Sequence, residues 1–382
     1  MTALAIETET ASAADTAPAS RCVITTDASY AARLAHDGAS PASWFPERWT
    51  LDGPEPYAVP LPGNQPEEPG TDVLPLADGR VLIRRRADGR HLFSLLYPTG
   101  PGTGEVPLGA VECGGTAELT LLPPAPDGRR AYALAVGSES TDVWLVAGGS
   151  FGPEHVAEVP GRCSGGVWLD RAGRLLAVDR AAPGGGPVKT VAVDLERGGE
   201  VSPLLQITEE SDDRLLLADL DSGLILVRSD AVKPGELRLG WGVLGSTLPL
   251  RFPQGLRLAD CALTPFAVQP GQTLLPESCA VAFRIDGPEG GAPWLGVWRP
   301  TEGTMHQLAA PVGWLAGSGF WSKDGVLSLP YVTDDVSCGL ARVSAPEPPA
   351  PREPAQSAPE APAAPRPVPL GQAPLGGRKA GG

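Results

Sequence analysis

The chain has 382 residues, 42% of them hydrophobic, and carries a formal net charge of −15 at pH 7. That length and hydrophobic content predict a folded protein with a large core. The negative charge argues against nucleic acid and against an anionic membrane surface as partners, because both attract basic proteins.

The first 71 residues predict two segments that precede the main fold. Residues 1–21 are rich in Ala, Thr and Ser and predict a disordered N-terminal tail. Residues 22–71 predict a short helix at 28–36, which Asp27 would cap, and then an extended stretch rich in proline and tryptophan. We expect this stretch to wrap around the folded body.

Targeting and cysteine patterns indicate the compartment. The N-terminus carries Glu7 and Glu9 without a basic region, so it does not predict a secretory signal peptide. No apolar run reaches the roughly 20 residues of a membrane helix. The six cysteines are widely spaced with no Cys-x-x-Cys pair, which favours reduced thiols over a zinc site. We therefore expect a cytoplasmic protein with no metal and no other cofactor.

Residues 72–343 contain a repeated pattern of strand, turn and strand. Its clearest copy runs from Pro124 to Ala147 and begins with a tight turn at Asp127-Gly128. Weaker copies follow the same pattern, and most of their turns lie 40–50 residues apart, the spacing of four-stranded propeller blades. The six turn positions are Gly79, Gly128, Gly173, Asp213, Cys279 and Gly325.

One interval between these turns is irregular. Asp213 and Cys279 lie 66 residues apart, and the strand-like run Leu237–Leu244 falls between them. This run belongs either to an irregular blade or to a seventh one. We therefore predict an all-β propeller of six or seven four-stranded blades over residues 72–343. Residues 344–382 hold 11 prolines and predict a disordered Pro/Ala-rich tail.

The repeat resembles that of TolB-like and WD40-like β-propellers. The segment Ala125-Pro-Asp-Gly-Arg-Arg-Ala-Tyr132, followed by Asp142-Val-Trp-Leu-Val146, carries the resemblance most clearly. The resemblance implies a fold, because the Asp-Gly pair makes a tight turn and the apolar residues fill the space between sheets. Similar propellers precede the hydrolase domain of prolyl-oligopeptidase-like peptidases. Only the proline-rich tail follows here, which implies a propeller without that enzyme.

Several short motifs match catalytic or metal-binding patterns only partly. Gly148-Gly-Ser-Phe-Gly152 has the spacing of a nucleophile elbow, but a strand-like segment follows it where an elbow needs a helix. We therefore interpret it as a turn. Asp219–Gly223 begins like a calcium loop without its final glutamate, and we interpret it as a hairpin turn. The four histidines form no metal-binding motif with one another. They are His36, His91, His155 and His306.

Charged and aromatic residues offer further candidates. The acidic run Glu209–Asp213 predicts a solvated loop or a contact for a basic partner. Arg84-Arg-Arg86 predicts a solvated hairpin end or an anion pocket, with Arg84 and Arg86 on one face and Arg85 on the other. Three tryptophans lie near glycine-rich turns, where an exposed indole would favour partner binding. They are Trp241, Trp314 and Trp321.

These observations favour a non-catalytic binding or scaffold protein. We expect a protein partner on one propeller face, and a small molecule could occupy the central channel. No catalytic residue is predicted. Two alternatives stay open: an enzyme whose active site lies in the channel, and a propeller that acts with a separate hydrolase.

Overall fold

The computed structural model describes residues 22–36, 43–113, 118–270, 275–288 and 290–346. Within these ranges the chain forms 26 strands and two short 3-10 turns, Gln254–Leu256 and Pro276–Ser278. The strands make seven antiparallel sheets, each from strands consecutive in sequence. Seven such sheets are the blades of a β-propeller. The predicted fold is confirmed, with seven blades.

Five blades have four strands each, and we number all seven blades in chain order. In blade 1 these are β1 (Val23–Ile24), β2 (Tyr30–His36), β3 (Trp44–Thr50) and β4 (Tyr57–Pro60). In blade 2 they are β5 (Asp72–Pro75), β6 (Val81–Ala87), β7 (Arg90–Pro98) and β8 (Thr103–Glu112). In blade 3 they are β9 (Glu118–Leu121), β10 (Ala131–Val136), β11 (Ser140–Ala147) and β12 (Glu154–Pro160). In blade 4 they are β13 (Arg162–Trp168), β14 (Leu175–Ala181), β15 (Val188–Asp194) and β16 (Glu200–Leu205).

Blade 6 also has four strands, whereas blades 5 and 7 have three among the described residues. Blade 5 contains β17 (Asp213–Ala218), β18 (Leu224–Ser229) and β19 (Arg238–Val243). Blade 6 contains β20 (Ala262–Val268), β21 (Val281–Asp286), β22 (Trp294–Trp298) and β23 (Met305–Leu308). Blade 7 contains β24 (Phe320–Trp321), β25 (Val326–Tyr331) and β26 (Gly339–Ser344).

Blade 5 has a rudimentary outer strand. The backbones of Trp241 and Arg251 exchange two hydrogen bonds of 2.9 Å, which places the segment around Arg251 beside β19. The strand-like run Leu237–Leu244 is therefore the third strand of blade 5 and not part of an additional blade.

The prediction of a short helix at 28–36 is wrong. Tyr30–His36 is β2, the second strand of blade 1, so the propeller begins near residue 22 and not at residue 72. Both faces of β2 are covered: Ala31 packs toward blade 7 and Ala32 toward blade 2. A strand covered on both sides lacks the apolar–polar alternation that identifies a half-buried strand. The segment expected to wrap around the body is the rest of blade 1.

Four of the six predicted turn positions are confirmed as glycines with positive φ, at Gly79, Gly128, Gly173 and Gly325. The other two are wrong, because Asp213 begins β17 and Cys279 lies just before β21. The equivalent turn of blade 5 is at Gly223, which has φ +74° and lies 50 residues after Gly173. The choice of Asp213 accounts for ten of the 66 residues in the irregular interval, because Gly223 lies 56 residues before Cys279.

Each pair of neighbouring blades shares a hydrophobic cluster. Alternate residues of the second strand point to opposite neighbours, as Leu224 and Leu226 do toward blade 6 while Ile225 and Val227 point toward blade 4. The described residues contain seven such clusters, one for each junction between blades.

The ring closes between blades 7 and 1 by packing. Trp49 and Cys22 of blade 1 share a cluster with Leu315 and Leu340 of blade 7. The Ser318 hydroxyl donates a 2.6 Å hydrogen bond to the Cys22 carbonyl oxygen. Among the described residues no strand of blade 7 pairs with a strand of blade 1.

The predicted terminal tails fall largely outside the described residues. Residues 1–21 and 347–382 are not described, whereas Ser344 ends β26. In the part of the chain that the structure covers, no helix has the length and apolar character to span a membrane.

Candidate ligand-binding cleft

The three tryptophans predicted to bind a partner are buried. Trp241, Trp314 and Trp321 are only 5%, 9% and 6% exposed. Trp241 makes an edge contact with Trp298, with ring centroids 6.4 Å apart, and Trp314 packs against Phe266 at 5.6 Å. These indoles fill the spaces between blades. Each lies either on a strand face that points into the interior or on a segment packed against such a face. They form no exposed propeller face.

The motifs interpreted as turns are turns. Gly148–Gly152 connects β11 to β12, and the Ser150 amide donates a 3.0 Å hydrogen bond to the Glu154 carboxylate. Asp219–Gly223 connects β17 to β18, and the Asp219 carboxylate accepts hydrogen bonds from the Ser222 amide and hydroxyl at 2.8 and 2.6 Å. Both predictions are confirmed.

The histidines lie away from the innermost strands, which border the central channel. His155 is on the outermost strand of blade 3 and lies 3.0 Å from Asp142, and His306 is on the outermost strand of blade 6 and lies 2.8 Å from Glu302. His91 is on the third strand of blade 2, and His36 ends the second strand of blade 1. Among the described residues no three side chains are grouped closely enough to hold a metal ion.

The arginine run in β6 has the predicted alternation. Arg84 bonds Asp72, and its guanidinium lies 3.0 Å from the His91 ring. Arg85 points to the other face and pairs with Glu67 and Glu105. Carboxylates therefore pair with Arg84 on one face and with Arg85 on the other, which argues against an open anion pocket at these two residues.

The acidic run that begins at Glu209 ends in a buried group. Asp213 is fully buried, which contradicts the prediction of a solvated loop at that residue. Its carboxylate accepts hydrogen bonds from Ser211, Ser229 and Lys189. This network links blade 5 to blade 4, because Lys189 lies on blade 4 and Asp213 on blade 5.

The best candidate for a ligand site is a cleft of about 370 Å³ between blades 5 and 6. Strands β18 and β19 form one wall, and the start of β20 with the preceding 3-10 turn forms the other. The lining residues that matter below are the charged Arg228, Glu236, Arg238 and Arg257 and the apolar Leu239, Phe252, Leu256 and Leu263.

The sequence of β18 explains how the cleft arises. Leu224 and Leu226 point toward blade 6 and fill the interface with Phe283 and Trp298. The next residue on that face is Arg228, because side chains on one face of a strand recur every second residue. The apolar packing between blades 5 and 6 therefore ends at a guanidinium, and the blades separate beyond it.

Glu236 organises the cations at the outer side of the cleft. Its carboxylate accepts hydrogen bonds from Lys233 at 2.8 Å and Arg238 at 3.0 Å, and Arg257 lies 3.2 Å away. The hydrogen bond from Lys233, then that from Arg238, lowers the Glu236 pKa to about 2. The lining thus carries three arginines against one ionised carboxylate, in a protein that is acidic as a whole.

Sequence reasoning missed this cleft. The sequence predicts a strand-like run at Leu237–Leu244, but nothing in it places that run opposite the segment 252–264. The available signal was Arg228, which follows the continuous apolar run of β18 on the same face as Leu224 and Leu226.

A second cavity, of about 300 Å³, lies at the edge of blade 1. Trp44, Phe45 and several prolines line it, and none of its described lining side chains is charged. It lacks the mixture of apolar and charged groups that makes the cleft between blades 5 and 6 the better candidate.

Comparisons with known proteins agree with the fold. No family model matches the sequence, and neither does any curated protein. The chain is similar to oligogalacturonate lyase from Vibrio parahaemolyticus, with TM-score 0.53 and 10% identity over 86% of this chain and 92% of that one. It is also similar to prolyl oligopeptidase B from Galerina marginata, with TM-score 0.53 and 11% identity over 85% of this chain and 48% of that one.

TolB from Acinetobacter baumannii is a third similar structure, with TM-score 0.45 and 14% identity over 74% of this chain and 64% of that one. The chain spans about half of the oligopeptidase and less than two thirds of this TolB. The predicted resemblance to TolB-like and prolyl-oligopeptidase-like propellers is confirmed, and at such identities it concerns the fold.

Proposed function

We propose that this propeller is a non-catalytic binding protein that holds a small ligand in the cleft between blades 5 and 6. The cleft itself is the supporting observation. Its volume of about 370 Å³ falls in the range of small-molecule sites. Its lining combines apolar side chains with a few convergent charged groups, which is the usual composition of such sites.

The proposal includes the cellular setting. Cys22, Cys113, Cys163, Cys261 and Cys338 form no disulfide bond, which supports a reducing compartment such as the cytoplasm. A protein partner would bind the propeller face on which the cleft opens. The protein would then act as a scaffold whose binding to that partner depends on the ligand in the cleft. This site replaces the central channel as the place where we expect a small molecule.

Blocking the cleft tests the proposal. Ala262 is exposed at the start of β20 and lines the cleft, so Ala262→Trp would fill it. Purified protein would be incubated with a metabolite extract, separated from it and denatured, and the released molecules would be identified by mass spectrometry. We expect the wild-type protein to retain a small molecule that Ala262→Trp does not retain.

Ala110→Trp is the matched control, because Ala110 is exposed on the outer strand β8 of blade 2, outside the cleft. It should retain the molecule. Retention of the same molecule by Ala262→Trp, or retention of none by the wild-type protein, would contradict the proposal. Chemical conversion of the molecule during incubation would instead support an enzyme.

A further inference from the structure

Among the described residues, Arg228 is the one cation lining the cleft that forms no ion pair with a carboxylate. Its Nε atom is buried and has no hydrogen-bond partner among the described residues. A buried donor without a partner is unfavourable, because it has lost its hydrogen bonds to water. The charge of Arg228 acts electrostatically on the carboxylate of Asp179 in blade 4. The two residues form no ion pair, however, and the Asp179 carboxylate lies nearer to Arg214, at 4.0 Å. A ligand atom in the cleft would give the guanidinium its missing acceptor.

Equivalent positions in other blades show that this arrangement is unusual. Arg84 in blade 2 and Arg284 in blade 6 also lie on the second strand and face the next blade. Arg84 bonds Asp72 at 2.8 Å, and Arg284 bonds Asp286 at 2.8 Å. In blade 5 the residues beside Arg228 across the sheet are Arg214 and Leu239, and the carboxylate two residues on, Asp230, accepts backbone hydrogen bonds from Asp212 and Gly235 instead.

The remaining lining restricts the chemistry of the ligand. Leu239, Leu256 and Leu263 offer apolar surface on the same lining, which suits a hydrocarbon group. Glu236 keeps one negative charge on the same lining, because its pKa is about 2. A phosphate group would bring about −1.5 to −2 charges close to that carboxylate, whereas a carboxylate brings one and matches the planar fork of arginine.

We infer that the cleft binds an organic monocarboxylate, with its carboxylate on Arg228 and its apolar group against Leu239, Leu256 and Leu263. This inference rests on the proposed function and specifies its ligand class. Arg238 and Arg257 add positive potential at the outer side of the cleft, where they share Glu236.

Phenylacetate and its uncharged isostere phenylacetamide test the inference directly. Binding to the full-length protein would be measured by ligand-observed NMR titration at constant ionic strength. Phenylacetate should bind, and the amide should bind at least about tenfold more weakly, since it lacks the charge that pairs with Arg228. Equal affinities for the acid and the amide would overturn the inference.

Arg228→Gln removes the proposed anchor, and Arg284→Gln is the matched control at the equivalent position of blade 6. We expect Arg228→Gln to weaken phenylacetate binding at least about tenfold and Arg284→Gln to leave it unchanged within about twofold. Equal effects of the two substitutions would contradict a specific role of Arg228.

Glu236→Gln provides an independent arm, because it removes a competing carboxylate from a side chain that is only partly buried. It should strengthen phenylacetate binding about threefold or more by freeing Arg238 and Arg257. Unchanged or weaker binding would count against the inference, as would displacement of phenylacetate by an equal concentration of inorganic phosphate. A neutral metabolite retained in the cleft would sink this inference alone, whereas a cleft that retains nothing would sink the proposed function.

Discussion

At the start of β17 the Asp213 carboxylate is fully buried and accepts hydrogen bonds from four donors. The donors are the Ser211 and Ser229 hydroxyls, the Lys189 ammonium and the Ile207 amide, at 2.6–2.9 Å. A buried charge is tolerated only where it is paired and hydrogen-bonded. The network therefore depends on every member, and removing the carboxylate would leave the Lys189 ammonium, itself largely buried, without its counter-ion.

Asp213→Ala should lower the free energy of unfolding by about 3–5 kcal/mol, because it breaks a buried ion pair and leaves one charge unpaired. Denaturant-induced unfolding followed by circular dichroism would measure the change. Asp334→Ala is the control at an exposed aspartate and should stay within about 0.5 kcal/mol of the wild type. A loss below about 1 kcal/mol for Asp213→Ala would show that the network contributes little.

At the scale of the element, the Asp-Gly turns do more than reverse the chain. Gly128 has φ +66°, and a Cβ atom there would lie 2.6 Å from the Cβ of Ala77 in the preceding blade. The Gly128 carbonyl oxygen also accepts a 2.8 Å hydrogen bond from the Ala77 amide. The turn of blade 3 therefore packs directly against the turn region of blade 2. Gly89, in the Asp88-Gly89 turn, has φ +75° but no atom within 4 Å of a Cβ placed there.

Gly128→Ala and Gly89→Ala separate these two effects. Both substitutions carry the cost of a positive φ, about 1–2 kcal/mol, but only Gly128→Ala also forces Ala77 to move. We expect Gly128→Ala to destabilise the protein by about 1–3 kcal/mol more than Gly89→Ala, the usual cost of overpacking. Equal melting temperatures for the two variants would show that the contact with Ala77 is easily relieved.

At the scale of the whole molecule, the junction of blades 7 and 1 closes the ring without strand pairing in the described residues. Cys22 and Cys338 belong to its cluster, and burial raises the pKa of each thiol from 9.0 to about 12. Between those values the folded state keeps protons that the unfolded state releases. The free energy of unfolding therefore falls as the pH rises above 9. This loss of stability arises from thiols at the junction that holds the ring together.

Cys338→Ala should make this alkaline loss less steep, by up to about 1.4 kcal/mol per pH unit. Unfolding free energies measured from pH 8 to pH 11 in the wild type and the variant would show it, since titration of lysines and tyrosines is common to both. Parallel curves for the two proteins would mean that the Cys338 thiol does not ionise differently in the folded and unfolded states.

The sequence by itself determined the class of fold. The turns at Gly79, Gly128 and Gly173, spaced 49 and 45 residues apart, and the apolar runs between them define blades because turn chemistry and strand alternation act over only a few residues. The same local rules predicted a helix at Tyr30–His36, because both faces of this strand are covered and it lacks the apolar–polar alternation. They also placed one turn at Asp213, which is a buried strand residue. Burial of a charged residue is decided by distant partners, here Lys189 and Ser229.

Only the tertiary structure decided where a ligand could bind. Trp241, Trp314 and Trp321 looked available beside their glycine-rich turns, but neighbouring blades cover them. Arg84, Arg228 and Arg284 look alike along the sequence, and they differ in whether a carboxylate of the same blade reaches them. Periodic patterns report local backbone structure, whereas a cleft depends on which residues of adjacent blades face one another across their junction.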